Sequence, residues 1–541
     1  MVHTRRRIDY HSTMGDRIYL YDTTLRDGAQ TYGVDFTVAD KLAIAEALDQ
    51  LGVDYIEGGW PGANPTDTEF FAQPPELSNA TLVAFGMTRR PGRSAHNDPV
   101  LAALLNAAVP ATCLVGKAWD FHVDAALEIP RQENLDMIRD SIVLCNERKR
   151  ESMFDAEHFF DGYRANPEYA LNCLRAAHDA GARWLVLCDT NGGTLPHEVE
   201  RIVTEVCAVI PGDRIGIHAH NDTGNAIANS LAAVRAGARQ VQGTVNGLGE
   251  RCGNADLIAL IPTLILKMEY VTQLDDCALK HLSWISHFLD ERLNRPSDPH
   301  APYVGTAAFA HKGGLHVSAV QKSPRTYEHI DPELVGNRRH IVVSDQAGRA
   351  NVITRLDDLG IAYSDDKLTH LLEAVKQKEF EGYAYEGAAA SFELLAREIL
   401  HGVPTFFELR RFRVMDEHRH NAQGQLVTES EATVTVRVAN QEVMRVAMGN
   451  GPVNALDKAL RAALISCFPQ LEDMHLVDYK VRIMQPGPDS TGTDAITRVL
   501  IECENKQHQR WSTIGVSGNI IDASYTALYD AYRFILIEKI Q

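Results

Sequence analysis

The sequence predicts an α/β fold: a TIM (β/α)8 barrel, then helical subdomains, then an α+β domain of two strand-strand-strand-helix units. Three observations predict it. Eight short apolar runs alternate with helical patterns across residues 17–285. Glycines recur where helices should end, in Leu51-Gly52-Val53-Asp54, Ala180-Gly181-Ala182-Arg183 and Ala236-Gly237-Ala238-Arg239. Residues 405–541 contain an internal duplication. An open doubly wound sheet is the competing arrangement for the first region.

Taken in order, residues 1–16 form a polar leader whose run Arg5-Arg6-Arg7 suits a solvated tail. Strand-like runs at 18–21, 55–57, 81–85, 111–115, 153–156, 184–187, 214–217 and 240–245 then make up the barrel domain, 17–285. Each is followed by a helical pattern, at 38–51, 65–71, 99–107, up to Arg148, 167–180, 196–209, 225–236 and 254–267. Residues 286–404 turn helical and irregular, with a glycine-rich break at 309–314 and a boundary at Gly402-Val403-Pro404. In the last domain, strands are expected at 407–414, 432–438 and 443–448, then a helix at 453–467. The pattern repeats with strands at 476–483, 496–503 and 510–516 and a helix at 520–537. Val434, Val436 and Val438 alternate with polar residues, as a strand covered on one face should. With no evident acid–base or metal cluster, this unit reads as a binding or assembly domain.

Composition excludes several classes. A net charge of −19 gives no global attraction for nucleic acid or anionic lipid. The nine cysteines are scattered without a Cys-x-x-Cys pair, which argues against a zinc ribbon or disulfide framework and suits a reducing cytoplasm. No apolar stretch reaches the ~18 residues that span a bilayer, and the leader lacks the apolar core of a secretory signal. The expectation is a cytoplasmic protein with neither nucleic-acid nor membrane partners.

Active sites of such barrels form where the strands end. Polar residues concentrate there. The first strand is followed by Asp22-Thr23-Thr24-Leu25-Arg26-Asp27-Gly28-Ala29-Gln30, and the fifth ends in Asp155-Ala156-Glu157-His158. The sixth ends in Cys188-Asp189-Thr190-Asn191-Gly192 and the seventh in His218-Ala219-His220-Asn221-Asp222. The eighth leads into Asn246-Gly247-Leu248-Gly249-Glu250-Arg251 and Gly253-Asn254. His218 and His220, two apart on a strand, point the same way and can bind one ion. Asp27 can add a carboxylate and Asn254 an amide oxygen; this mixed set suits Mn, Mg, Zn or Fe(II) without choosing among them. Arg26, beside Asp27, can polarise a keto oxygen. Glu157 is a candidate acid or base, and Thr190 a donor to a carboxylate. His311, in Phe309-Ala310-His311-Lys312-Gly313-Gly314, and Tyr327 are ambiguous from local sequence alone. Nothing beside Cys252 activates it as a nucleophile.

Together these motifs resemble the α-isopropylmalate synthase, homocitrate synthase and citramalate synthase family, from about residue 17 to the end. The resemblance implies a TIM barrel with helical subdomains and a regulatory carboxy-terminal domain. It places Asp27, His218, His220 and Asn254 at metal positions and Arg26 at the arginine that holds the keto acid. Gln30 and Thr190 fall at substrate-binding positions, and Glu157 at an active-site acid. His311 and Tyr327 match subdomain residues that in relatives reach the neighbouring subunit's site, although Lys312-Gly313-Gly314 departs from the isopropylmalate pattern.

Substrate choice rests on fewer residues. The segment Glu57-Gly58-Gly59-Trp60-Pro61-Gly62-Ala63-Asn64-Pro65 is similar to the longer citramalate synthases, as are Trp119-Asp120-Phe121-His122 and Phe159-Phe160-Asp161-Gly162-Tyr163. The resemblance thus implies divalent-metal-dependent condensation of acetyl-CoA with pyruvate, in a homodimer, with isoleucine as a candidate effector. Arg89, Arg90 and Arg93 after the third strand are cationic, but a solvated loop explains them better than a CoA site. Isopropylmalate or homocitrate synthesis is the alternative. An acyl-CoA lyase on a similar barrel is more distant, since such lyases rely on a cysteine loop not matched around Cys252.

Overall fold

The computed structural model describes residues 17–341, 349–420, 422–484, 495–507 and 509–538. The polar leader at 1–16 lies outside the described residues. The chain forms two compact units, Met1–Phe309 with Ile330–Arg338, and Ala310–His329 with Arg339–Gln541.

The first unit is a closed parallel barrel of eight strands in sequence order. They are β1 (Tyr19–Asp22), β2 (Tyr55–Gly59), β3 (Thr81–Met87), β4 (Ala111–Lys117), β5 (Glu151–Glu157), β6 (Trp184–Asp189), β7 (Ile215–Ala219) and β8 (Gln240–Gly243). Closure comes from β1 pairing with β8, with Tyr19 opposite Gln240 and Asp22 opposite Gly243. Alternation sorts the side chains of each strand into two cores. Ile18, Leu20, Ile56 and Leu185 join the buried layer shared with the outer helices. Tyr21, Tyr55, Phe85, Cys113, Met153 and Trp184 fill the barrel interior.

Helix ends follow the local chemistry. Helix Val38–Leu51 starts on a Thr37–Asp40 capping box and stops at Gly52, whose φ of 88° is a left-handed conformation open to glycine. Helix Pro65–Ala72 begins with proline in its first turn behind the Asn64 cap.

The second unit holds a short strand pair, a helical region and two antiparallel sheets. The pair is β9 (Ala310–His311) with β10 (His340–Ile341). Helices Arg349–Asp358, Asp365–Phe380 and Ala389–Leu400 share an apolar core that includes Val352, Leu356, Leu371 and Phe392. The sheets run β11 (Glu408–His420), β12 (Leu426–Val438), β13 (Gln441–Gly449) and β14 (His475–Ile483), β15 (Thr497–Glu504), β16 (Arg510–Ser517). Each triplet is followed by a helix, Pro452–Leu464 and Ile520–Glu538. Val434, Val436 and Val438 are buried, as their alternation predicts, against a core that also takes Leu456, Leu460, Leu528 and Tyr532. The β11–β12 hairpin is longer than the sequence predicts: residues 415–420 and 426–431 pair as well. Those residues are largely polar on both faces, so they carry no alternation signal. Cross-strand pairs such as Arg419–Glu429, 3.0 Å apart, accompany the extension.

The duplicated halves share a packing device. A Cβ on Gly449 would stand 2.4 Å from the Ala455 nitrogen, and one on Gly515 only 1.9 Å from the Ala523 carbonyl oxygen. In each half the third strand thus touches the backbone of the helix behind it. Gly515→Val should therefore destabilise the second unit by roughly 1–3 kcal/mol, the usual cost of overpacking. Thermal unfolding together with limited proteolysis will read this, and a melting temperature equal to that of the parent protein would refute the contact.

Candidate active site

The loop after β1 is stitched into the barrel rim. Asp22 accepts from the Thr24 amide and hydroxyl, both at 2.8 Å. Burial pushes the Asp22 carboxyl up to about 7. The Thr24 hydroxyl in turn accepts from the Val245 amide at 2.9 Å, and the Thr23 amide donates to the Gly243 carbonyl at 2.8 Å. These bonds hold Arg26 and Asp27 over the mouth.

Arg26 is clamped from several sides. Its Nη1 donates to Asp27 Oδ1 at 2.5 Å and its Nε to Glu57 Oε2 at 2.6 Å. Its guanidinium lies 4.0 Å from the Phe85 ring centroid, a cation–π contact. Burial works against the cation, but Asp27 and Glu57 outweigh it and raise the Arg26 pKa above its ordinary value.

Asp27 turns its other oxygen to the histidines. Oδ2 lies 3.3 Å from His218 Nε2. The His218 and His220 rings are 5.2 Å apart, centre to centre. His218 Nδ1 is 2.9 Å from Gln242 Oε1. An amide oxygen only accepts, so Nδ1 carries a proton, and in the neutral ring Nε2 is the nitrogen that turns a lone pair toward Asp27. Burial opposes ionisation of Asp27, yet the Arg26 guanidinium holds its carboxyl below the usual carboxylate range. Burial, helped by His218, pushes the His220 pKa down to about 3, so this imidazole is neutral at pH 7.

Asn254 joins from the loop after β8. Its backbone forms an antiparallel bridge with His220, flanked by Ala255 N to Ala219 O at 3.0 Å. Gly253 makes the approach feasible: its φ is 87°, and a Cβ there would sit 2.0 Å from the Gly247 carbonyl oxygen. Asp27, His218, His220 and Asn254 are all buried. Two of their acceptor atoms, His220 Nδ1 and the Asn254 amide oxygen, are enclosed with no hydrogen-bond partner among the described residues. Enclosed polar atoms cost free energy unless something satisfies them. Two ligands at right angles, each about 2.0–2.2 Å from one ion, stand about 3 Å apart, close to the Asp27–His218 separation of 3.3 Å. The donor chemistry and burial of the four residues suit a divalent cation, and Asp27 and His218 stand at a ligand-to-ligand separation.

Glu157 and Thr190 lie on neighbouring strand ends. Glu157 is ion-paired with Lys117. The Thr190 hydroxyl accepts from the His158 amide at 2.9 Å, which leaves its own hydrogen for another acceptor. Its carbonyl accepts from Arg251 Nη2 at 2.7 Å, while Arg251 Nε donates to Asp222 at 2.7 Å. Gln30 is exposed and lines a cavity of about 420 Å³ with Arg26, Lys41, Trp60, Asn64 and Asp67. Trp60 meets Phe85 edge-on at 5.6 Å, so the tryptophan buttresses the ring under Arg26.

Relatives agree with this architecture. Residues 17–285 match the HMGL-like family, 303–382 the homocitrate synthase post-HMGL domain-like family and 386–536 the LeuA allosteric (dimerisation) domain. The (R)-citramalate synthase of Synechocystis sp. is 49% identical over 538 residues, covering 97% of both chains. That of Aquifex aeolicus is 48% identical, covering 97% of this chain and 99% of its own. The chain belongs to the (R)-citramalate synthase family. It is an acyltransferase-type condensing enzyme. The 2-isopropylmalate synthase of the same Synechocystis strain is only 33% identical, over 88% of this chain and 89% of its own.

Around this citramalate synthase-like centre are residues that sequence reasoning did not single out. Glu57 is fully enclosed, accepting from Arg26 and, at 2.7 Å, from the Tyr21 hydroxyl. Burial raises its carboxyl to about 7 against the pull of Arg26. Among the described residues, Glu57, Cys113 and Asp155 bring their ligand atoms within 4.8 Å of one another. Burial raises the pKa of all three. Gln242, opposite His218 across β7 and β8, is the other omission. The available signal was parity: Gln240 and Gln242 face inward in a strand otherwise suited to apolar burial.

Arg89 is not a free cation at the rim. It is buried and pairs with Glu133 at 2.7 Å and Asp140 at 3.0 Å. Cys252 is exposed. His311 and Tyr327 belong to the second compact unit, where His311 is buried and Tyr327 exposed.

Two substitutions test the cluster. His218→Ala should lower the affinity for Mn²⁺, measured by calorimetry, by at least tenfold, and Gly253→Ala should do so by displacing Asn254. Affinities equal to the parent's in both variants would separate these four residues from any bound ion.

Proposed function

We propose that the enzyme condenses acetyl-CoA with pyruvate and hydrolyses the resulting thioester, giving (R)-citramalate and free CoA. The carrying observation is the buried convergence of Asp27, His218, His220 and Asn254, with unsatisfied atoms, beside the clamped Arg26. The higher identity to citramalate synthases than to an isopropylmalate synthase supports pyruvate as the keto acid. A divalent ion held by those four residues would supply Lewis acidity to the keto and carboxylate oxygens of the substrate.

The chain's own groups do the rest. Arg26 receives the keto oxygen and stabilises the alkoxide that develops on it. Thr190 donates its free hydroxyl hydrogen to the substrate carboxylate. A base, Glu157 or His311, removes a proton from the acetyl methyl group, and the resulting carbanion bonds to the keto carbon. Water then cleaves the thioester and CoA leaves as the thiol, which makes the sequence irreversible. The cavity bounded by Gln30, Trp60 and Lys41 opens beside Arg26 and is the approach we assign to the thioester arm.

The match to a dimerisation domain supports a homodimer, and we assign the same domain the sensing of isoleucine, the amino acid this product would feed. The nine cysteines are free, which suits the reducing cytoplasm where we place the enzyme. No helix among the described residues is long and apolar enough to cross a membrane.

Release of CoA thiol from acetyl-CoA should be fastest with pyruvate among pyruvate, 2-oxoisovalerate and 2-oxoglutarate. Chelation should abolish the release and added Mn²⁺ should restore it. Faster turnover of 2-oxoisovalerate would transfer the assignment to isopropylmalate synthesis. Isoleucine at millimolar concentration should shift the kinetics; the same experiment giving unchanged curves would leave the terminal domain a purely dimerising one.

A further inference from the structure

We propose that Glu328 is a positioning residue for His311, holding its imidazole in a single tautomer, with Arg339 fixing the carboxylate. The inference rests on the reading of His311 as a proton-transfer residue and deepens it.

The geometry lies within the second compact unit. His311 ends β9, which pairs in parallel with β10. Arg339 immediately precedes β10, so pairing the strands brings it near His311. His311 Nε2 is 3.0 Å from Glu328 Oε1. Arg339 grips the same carboxylate through both edges, Nε to Oε1 at 2.5 Å and Nη2 to Oε2 at 2.6 Å. The Glu328 side chain is 2% exposed. Burial opposes its charge, yet Arg339 and His311 hold the carboxyl below its ordinary range.

An ionised carboxylate accepts hydrogen bonds and donates none. Nε2 must therefore carry the proton, and in the neutral ring Nδ1 becomes the basic nitrogen. A fixed ring with one basic nitrogen is what proton abstraction needs, because the base must meet the proton at hydrogen-bond distance. Arg339 adds a second restraint, since a bidentate grip denies the carboxylate rotation. The loop around His311 is tied as well: the fully buried Asn351 donates to the Lys312 carbonyl at 3.1 Å. Tyr327, adjacent to Glu328, faces outward and stacks on His316 with ring centres 4.2 Å apart. The segment thus turns one side chain inward to hold the histidine and leaves the next at the surface.

Glu328→Gln tests this in the full-length enzyme loaded with Mn²⁺. The amide keeps the shape and an accepting oxygen, but it also donates, so it no longer enforces one tautomer. Nitrogen-15 NMR of labelled histidine should show His311 protonated at Nε2 in the parent and a mixture in the variant. The variant's kcat should fall about 10- to 100-fold, with KM for keto acid and acetyl-CoA changed less than about twofold and the melting temperature within a few degrees. Arg339→Lys should move kcat in the same direction by less. In a double-mutant cycle, His311→Ala with Glu328→Gln should be no slower than His311→Ala alone.

An Nδ1-protonated His311 in the parent would overturn the proposal. So would a silent Glu328→Gln beside an inactive His311→Ala, or further loss in the double variant. Full activity in His311→Ala would instead remove His311 from the reaction, while the tautomer measurement still decides what Glu328 does to the ring.

Discussion

One carboxylate governs the barrel mouth. Asp27 gives one oxygen to Arg26 and turns the other to His218, in a place where solvent reaches neither. With little water to share the load, each neighbour's orientation depends on this split. Arg26 cannot swing toward the histidines without abandoning both Asp27 and Glu57, and Phe85 blocks it from one face. His218 cannot rotate without losing the Gln242 oxygen. The reactive edge of each group is thereby set before any ligand arrives, which is where preorganised sites gain most.

That arrangement places demands on the scaffold. Asp27 lies on a loop after β1, whereas His218 comes from β7, His220 from just past its end and Asn254 from beyond β8. In a closed barrel these elements are neighbours, because β1 pairs with β8. The loops are then joined across the closure: the Val245 amide donates to the Thr24 hydroxyl, and the Gly249 amide to the Thr31 hydroxyl at 2.7 Å. An open sheet would separate the first and last strands and pull Asp27 away from its partners. Closure of the barrel is therefore a requirement of the site as well as of the fold.

The legible parts of the sequence were those where a period meets an environment. Barrel strands showed as apolar runs because both faces are buried, and β12 as alternation because one face is. The far half of the β11–β12 hairpin was illegible because polar residues on both faces mimic a loop. The same limit applies to the site. Polar residues clustered after strands stand out, so Arg26, Asp27, His218, His220 and Asn254 could be named and are brought together. Glu57, Asp155 and Gln242 sit within strands, where a single polar letter resembles noise until register sets it beside a partner. Glu328 gives no signal of its own beside Tyr327, since its contact with His311 spans 17 positions.

Charge explains why this donor set suits the proposed reaction. His220 is neutral and Asn254 uncharged, so Asp27 is the one anionic donor among the four, and it shares Arg26 with Glu57. A dication bound there would leave an excess of positive charge in an enclosed space. A keto acid brings one negative charge through its carboxylate, and carbon–carbon bond formation places a second on the former keto oxygen. The excess positive charge would therefore fall as the reaction proceeds, which favours the developing alkoxide. A second anionic donor would bind the cation more tightly and reduce that excess. The amide of Asn254, held by the Gly253 turn, supplies an oxygen without a charge, and the electrostatics of the proposed condensation depend on that neutrality.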